Sequence, residues 1–489
     1  MALNTPDAIY TEQSQLWQEV RAALAGKYAV IDIVTCLPAP QYKLYPSYTG
    51  MTTEQQQQAN QCNTANTLRV QSYWARGRFF NATSRTKESL DGMIWSKQPE
   101  EDLANSVSYM EQSADGSGSG LREVAQKITS ELVSIGRYGV LVDMPDNESG
   151  LTQAQMQEPD KAPRMIQYKA EQIIFVKCNG LANAVDEIRL IEFVEQRKEG
   201  SDYDWETVQR IRRLVMIEGV YHNQLLTEKG EVITDVVPVS NGSVMSEMPF
   251  QFFGADNNSP EYSKVPLYDL ANANLGHFVL DCDNRDNLHF HGQGMTNTFV
   301  QNPEDVNREN PGGIDVGAKG INTFGENDRV EILQLEATGA IPAEMLRDEQ
   351  RMVMQGAQLV TESSSNQTLG AKEIDVGTST STLKRIAYNA STGIEQCLLW
   401  AAEFLGSSDE SVYQLNTDFV TDSLTPEMIA QHIAIVQAGL LPRSSLYETA
   451  RSAGFTKKSD EELMEEAEAD NLSLPGMTEE QAIIQAASE

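Results

Sequence analysis

Hydrophobic residues recur at helical spacing in two long stretches of the chain that flank a glycine-rich segment. The first stretch is Leu267–Phe290, and Pro266 before it suits the first turn of a helix, where its missing N–H needs no partner. The second stretch, residues 340–360, carries a narrow apolar seam at Met345, Met352, Gly356 and Leu359. We therefore predict two long helices, the first about 36 Å long at 1.5 Å per residue, joined by a compact β unit.

A third helix is predicted within residues 379–406, where the most regular apolar stripe of the chain lies. The stripe consists of Leu383, Ile386, Ala387, Ala390, Ile394, Cys397, Leu398, Ala401, Phe404 and Leu405. Gly406 is typical of a helix end. Residues 361–378, between the second and third helices, carry few apolar side chains, and a loop of this length in a compact domain indicates a function.

The N-terminal third of the chain mixes helical and strand-like patterns. The predicted elements are a helix over Glu12–Ala25, a strand over 28–40, a polar loop over 55–61, one helix over 67–95, a flexible linker over 115–120, a helix over Leu121–Ile135 and a strand over Tyr138–Asp143. Gly136 separates the last two elements, as expected for a helix end.

Several strand-like runs follow between Met165 and Asp235. Alternation around residues 187–195 places Ile188, Leu190 and Phe193 on the buried side of an antiparallel sheet that is wet on its other face. Helices first and a sheet afterwards predict an α+β fold.

Acidic residues strongly outnumber basic ones, with 71 Asp and Glu against 37 Lys and Arg and a net charge of −34. Such a surface repels phosphate backbones and disfavours a protein that grips nucleic acid through basic side chains. Residues 67–95 are the exception, because arginines stand there among aromatic residues and could contact nucleic acid. Alternatively, these aromatic residues form a core and the arginines pair with carboxylates of the same chain.

The sequence carries no recognisable catalytic or cofactor motif. The five cysteines include no CxxC pair, which suits free thiols in a reducing compartment better than disulfides or a zinc site. Residues 281–291 gather acidic and histidine side chains but lack the glycine and glutamate of a calcium-binding loop. No signal peptide or membrane-length apolar run is recognisable. We therefore expect no enzyme, no metal, no cofactor and no membrane contact.

Six blocks in the same order resemble the portal proteins of tailed bacteriophages, within them the podovirus-type group. The blocks read LWQEVRAALAGKYAV followed by LPAP, YWARGRFFNATSRTKESLDGMIWSKQP, IGRYGVLVDMP, PLYDLANANLGHF, MVMQGAQLV and LTPEMIAQHIAIVQAGLL. None of them is a catalytic signature. Their shared order over most of the chain is what carries the resemblance.

The resemblance implies a portal-type fold with named parts. These are an α/β wing (1–264), a stem helix (265–292), a small β clip (293–339), a second stem helix (340–360), a tunnel loop (361–378), a long wing helix (379–406), and a C-terminal helical crown with an acidic tail (407–489). Twelve such subunits would form a ring at one capsid vertex, around the channel for DNA packaging and ejection. The protein would then be assembled in the bacterial host cytoplasm and reside in the virion.

The resemblance also implies roles for particular residues. The tunnel loop would present Ser363, Ser364, Ser365, Asn366, Gln367 and Thr368 to DNA in the channel. The clip would contact the motor and the adaptors through Glu309, Asp315, Lys319 and Asn322. Subunits would pack through Ile386, Ile394, Leu398 and Phe404.

The implied partners are eleven further copies in a homo-dodecamer, the major capsid protein, the terminase large subunit, tail adaptor proteins and double-stranded DNA. Two alternatives remain open from the sequence. One is a phage nuclease that uses clustered carboxylates and a metal. The other is a head-completion protein without a channel.

Overall fold

The computed structural model describes residues 5–34, 52–145, 161–179, 184–197, 204–240, 243–291, 295–299, 304, 329–333, 339–359, 381–417 and 419. The chain divides into two units, Met1–Thr417 and Asp418–Glu489, and the elements below belong to the first. The helices are α1 (Ala8–Ala25), α2 (Lys27–Val34), α3 (Thr53–Arg76), α4 (Ala82–Ile94), α5 (Leu121–Ser134), α6 (Tyr268–His291), α7 (Ala340–Gln358) and α8 (Thr382–Phe404).

Strands complete a mixed α and β fold, as predicted. They are β1 (Glu100–Asp102), β2 (Arg137–Asp143), β3 (Arg164–Lys169), β4 (Ile173–Asn179), β5 (Ala184–Arg197), β6 (Trp205–Ile217), β7 (Val220–Thr227), β8 (Val232–Val236), β9 (Val239–Ser240), β10 (Ser243–Val244), β11 (Phe250–Gly254), β12 (Met295–Phe299), β13 (Arg329–Leu333) and β14 (Val412–Gln414). Among the helices described here, none is long and apolar enough to cross a membrane.

The strand predicted over 28–40 is wrong in its described part, because residues up to Val34 form α2. Gly26 ends α1 with a φ of +94°, a backbone conformation that favours glycine. Val30 is fully buried in a cluster with Tyr73 of α3 and Phe278 of α6. Packing against these helices overrides the strand preference of the β-branched residues.

The predicted loop over 55–61 and the single helix over 67–95 are also wrong. Helix α3 already begins at Thr53, where Thr52 and Gln55 form a reciprocal capping box with hydrogen bonds of 3.3 and 3.0 Å. The chain then leaves helical geometry at Gly77, and α4 begins at Ala82. A Cβ at Gly77 would lie 2.3 Å from the Sγ of Cys282, so only glycine lets the chain pass this close to α6.

The DGSGSG segment is an ordered turn and not a flexible linker. The carboxylate of Asp115 accepts hydrogen bonds from the backbone N–H groups of Ser117 and Ser119 at 2.9 and 3.0 Å. Burial raises the pKa of Asp115, but the hydrogen bonds from these serines outweigh it and lower the pKa to about 2. The turn leads directly into α5.

Helix α5 and strand β2 are confirmed, with Gly136 between them at a φ of +79°. Strand β2 is the centre of an antiparallel sheet of order β11–β2–β3. A second antiparallel sheet has the order β4–β5–β6–β7–β8. Ile188 and Leu190 are buried there as predicted, but Phe193 is 62% exposed, because it is one position out of phase with them.

A buried ionic network joins the two sheets around Arg212 of β6. Its guanidinium donates to Glu192 of β5 at 2.6 Å and lies 3.6 Å from Asp143 of β2. Tyr168 of β3 also donates to Glu192, at 2.5 Å, and Asn223 of β7 donates to Asp143 at 3.2 Å. Burial raises the pKa of Asp143, and Arg212 opposes this effect. The charge of Arg212 therefore compensates two carboxylates that the sheets enclose.

Helix α8 lies in the core of the unit, packed against α5, β2 and β11. A Cβ at Gly393 would lie 2.3 Å from the Phe253 ring, so the helix approaches β11 closely. The side chains of Ile386, Ile394, Leu398 and Phe404 are 1%, 0%, 0% and 7% exposed within a single chain. Contacts within one chain already bury this stripe, so its apolar character does not by itself require a subunit interface. Its role in subunit packing stays a prediction.

Candidate functional site: the paired helices α6 and α7

Helices α6 and α7 are the two arms of one hairpin. Strand β12 follows α6, strand β13 precedes α7, and the two strands pair antiparallel with Met295 opposite Leu333. Between the arms, Nε2 of His277 in α6 lies 3.3 Å from a carboxylate oxygen of Glu349 in α7. Met352 is the one residue of α7 that is classed as buried. The predicted pair of long helices is therefore present at its predicted place, with a pair of strands between the two helices.

Asn274 clamps α6 to the start of α4. Its Oδ1 accepts hydrogen bonds from the backbone N–H groups of Ala82 and Thr83 and from the Thr83 hydroxyl, at 3.1, 3.1 and 3.0 Å. Its Nδ2 donates to the carbonyl oxygen of Phe80 at 2.7 Å. The side chain is fully buried, and so is Thr83, whose backbone N–H and hydroxyl both donate to Asn274. The sequence pattern gave no sign of it, since an isolated asparagine has no periodic signature.

We expect Asn274→Ala to lower the free energy of unfolding by about 2–4 kcal/mol, because it leaves the buried N–H and hydroxyl of Thr83 without their acceptor. Asn272→Ala is the matched control, since Asn272 lies two residues away in α6 with an exposed side chain. Its effect should stay within about 0.5 kcal/mol. Urea unfolding measures both variants. Equal losses of unfolding free energy would contradict a stabilising role of the Asn274 hydrogen bonds.

Four cationic residues line a groove of about 510 Å³ where α3 ends beside α6: Lys27, Arg76, Arg78 and Arg285. Arg76 pairs with Asp286, and Nε of Arg285 lies 2.7 Å from Asp281. The ammonium of Lys27 donates instead to the neutral carbonyl oxygen of Ala75. The Arg78 guanidinium makes no hydrogen bond or ion pair with any residue that the structure describes.

The structural interpretation of the basic stretch is confirmed for its described residues, whereas contact with nucleic acid stays a prediction. Tyr73 and Trp74 are buried in the core, as the structural interpretation requires. Most arginine and lysine side chains nearby have intramolecular partners: Lys87 lies 2.8 Å from Asp91, and Arg85 lies over the Phe80 ring. Among the described residues of this groove, the Arg78 guanidinium has no carboxylate partner, and the Lys27 ammonium donates only to a carbonyl oxygen.

A second face of α7 escaped the sequence analysis. Ala343, Leu346, Gln350, Val353 and Ala357 repeat at alternating steps of three and four residues, and all five are exposed. Val353 is 73% and Leu346 55% exposed. The signal was in the sequence, because this spacing is that of a helix seam. The polar residues between these positions obscured it.

Residues 266–405 match the family described as Domain of unknown function (DUF4055). The match runs from the residue two before α6 to the residue after α8. No curated protein matches the chain.

Among solved structures, two chains from the necks of GTA particles and one phage portal protein are similar to this chain. The neck of an empty GTA particle, computed with C6 symmetry, has 12% identity and a TM-score of 0.38, covering 81% of this chain and 90% of that one. The neck of a native GTA particle, computed with C12 symmetry, has 11% identity and a TM-score of 0.38, covering 78% and 89%. A HK97 family phage portal protein from Corynebacterium diphtheriae has 11% identity and a TM-score of 0.27, covering 70% and 94%.

The remaining predicted site residues lie outside the described residues. These are the tunnel-loop residues Ser363, Ser364, Ser365, Asn366, Gln367 and Thr368 and the clip residues Glu309, Asp315, Lys319 and Asn322. Across the described ranges, no group of three or more His, Cys, Asp or Glu side chains is placed to hold a metal ion. Asp286, in the acidic and histidine-rich run, instead pairs with Arg76.

Proposed function

We propose that this protein is a portal protein of a tailed bacteriophage. Twelve copies form a ring at a capsid vertex, and DNA enters and leaves the particle through its central channel. The observation that carries this proposal is the hairpin of two long helices, α6 and α7, joined through the β12–β13 pair. It is the geometry that the portal resemblance assigns to a stem with a clip at its end.

The charge of the chain suits a conduit. Each subunit contributes a net charge of −34, and a wall of this sign offers few sites that hold a phosphate. DNA can slide through such a channel because little of it is bound. In this proposal the clip meets the terminase large subunit during packaging and the tail adaptors afterwards, while the wing faces the major capsid protein.

The residues from Ser363 to Thr368 form the tunnel loop in this proposal, and their side chains are small or uncharged. They touch the moving DNA without an ionic grip. The work of this protein is mechanical and structural, without a catalytic step of its own.

Negative-stain electron microscopy of the purified full-length chain tests the proposal. We expect ring-shaped particles with twelvefold symmetry and a central hole. Compact particles without a hole would support a head-completion protein instead. Cleavage of DNA that requires a divalent metal would support the nuclease. Either outcome overturns the portal assignment.

A further inference from the structure

A cavity of about 530 Å³ lies where the five-stranded sheet meets β11 and α8. Its walls are mostly apolar and include Ile188 of β5, Met216 of β6, Phe250 of β11 and Trp400 of α8. Ile188 is fully buried, and Phe250 and Trp400 are 6% and 7% exposed, so neighbouring elements hold these walls in place. Small-molecule sites in proteins are mostly apolar cavities of about 300–1,000 Å³ with a few polar groups, and this cavity matches that description.

The ionisable side chains that line the cavity are both acidic. Asp186 of β5 and Glu247 belong to the lining, and none of the described lining residues is a lysine or an arginine. Asp186 lies 3.8 Å from Lys177, whose side chain is 60% exposed, and an ion pair of this kind contributes little. Glu247 is exposed and forms no ion pair with a residue that the structure describes. The cavity lining therefore carries negative charge without a cation that balances it.

A third carboxylate lies beside the first two. Glu403 follows Trp400 by three residues in α8, so the two side chains share a face of the helix. Burial raises the pKa of Glu403, and the negative charge of Glu247 raises it further. Glu403 also lacks an ion pair within the described ranges. Two carboxylates that repel each other next to an apolar cavity favour a ligand that brings positive charge.

We propose that this cavity binds a linear aliphatic polyamine. The methylene segments of such a molecule pack against Ile188 and Met216, and its ammonium groups pair with Asp186 and Glu247. The Trp400 ring offers a further attraction, because the quadrupole of an aromatic ring stabilises a cation that lies over its face. A metal ion suits the cavity less well, since the apolar walls supply none of the oxygen ligands that hard cations require.

Binding should stabilise the folded chain, because the walls come from β5, β6, β11 and α8, which meet only in the native state. A bound polyamine also reduces the local repulsion in a chain with a net charge of −34. The site lies on elements other than the α6–α7 hairpin. The inference therefore goes beyond the portal function and does not depend on it.

The first test is isothermal titration calorimetry of spermidine into the purified full-length chain, at about 0.15 M salt, where distant charges are screened. We expect saturable binding. The double variant Asp186→Asn with Glu247→Gln should bind at least about tenfold more weakly, because it loses two charge-assisted contacts. The matched control is Glu12→Gln with Glu228→Gln, which removes the same charge at two exposed positions outside the cavity lining. It should change the affinity less than about twofold.

Equal losses in the two double variants would mean that spermidine only joins the counterions around an acidic protein, and would overturn the inferred site. The absence of saturable binding would overturn it as well. A chain that binds an apolar peptide with one lysine but no spermidine would also contradict the inference, since the occupant would then be a side chain of a partner protein.

Tryptophan fluorescence locates the ligand. Trp400 lines the cavity, whereas Trp205 is outside the lining and 60% exposed. We expect spermidine to change the emission of the unmodified chain and of Trp205→Phe alike, and to leave the emission of Trp400→Phe unchanged. A change that persists in Trp400→Phe would place the ligand elsewhere and contradict the inference. If Trp400→Phe does not fold, the charge variants still decide, because Asp186 and Glu247 are accessible to solvent.

Discussion

Replacing Arg212 by methionine should lower the free energy of unfolding by about 3–5 kcal/mol at neutral pH, because it leaves the carboxylates of Asp143 and Glu192 enclosed without their cation. Methionine retains most of the apolar stem of arginine, so the loss reports on the charge. Unfolding in guanidinium chloride measures this loss of unfolding free energy. Arg210→Met is the matched control in the same strand, since Arg210 forms no ion pair with the residues described.

The loss should depend on pH in a defined direction. Burial raises the pKa of Asp143 above its unfolded value, so the ionised group destabilises the fold at pH values above its folded pKa. That destabilisation disappears as the pH falls below the unfolded pKa, near 4. Without Arg212 the penalty grows, because no cation opposes it. The deficit of Arg212→Met relative to the unmodified protein should therefore shrink between about pH 7 and pH 4.5. A deficit that grows on acidification would contradict this account.

Replacing Ile394 by alanine should cost about 2–5 kcal/mol of stability, because its side chain is fully buried between α8 and the elements that α8 covers. Ile394→Val removes one methylene and should cost only about 0.5–1.5 kcal/mol. Thermal unfolding of the two variants gives the comparison. Thr392→Ala, at an exposed position of the same helix, is the control for effects of helix propensity.

Ile394→Asp separates two possible roles for α8. A buried charge without a partner should abolish the folded subunit itself, so that little soluble protein is recovered. If α8 instead lay at a subunit interface, the variant would yield folded single chains that fail only to assemble. Folded, soluble monomers of Ile394→Asp would therefore support the predicted interface role of α8.

Hydrophobic periodicity predicts where α7 and α8 lie in the chain, but it does not predict which face of each helix is covered. Both helices were predicted close to their observed bounds, because spacing along one helix is a local property. The partner of each apolar face is not local. The stripe of Ile386 and Ile394 looked like an interface, yet α5, β2 and β11 cover it. The seam of Leu346 and Val353 looked polar, yet it is the face left open.

The errors in the N-terminal region have the same origin. The β-branched residues of α2 suggest a strand, but Val30 finds its place among helices, with Tyr73 and Phe278. The break between α3 and α4 lies at Gly77, where a side chain would collide with Cys282. Cys282 is more than two hundred positions later in the chain, so no pattern near Gly77 reveals this contact. Neither contact has a signature near the residue that needs it.

The sequence by itself determined the helices of the hairpin, the strand after Gly136, the alternation that buries Ile188 and Leu190, and the excess of acidic charge. Each of these follows from a local pattern or from composition. Only the tertiary structure decided that α8 belongs to the core, that Asn274 and Arg212 join distant elements, and that Val353 stands open. These properties depend on which faces meet after the chain has folded, and residues far apart in sequence set them together.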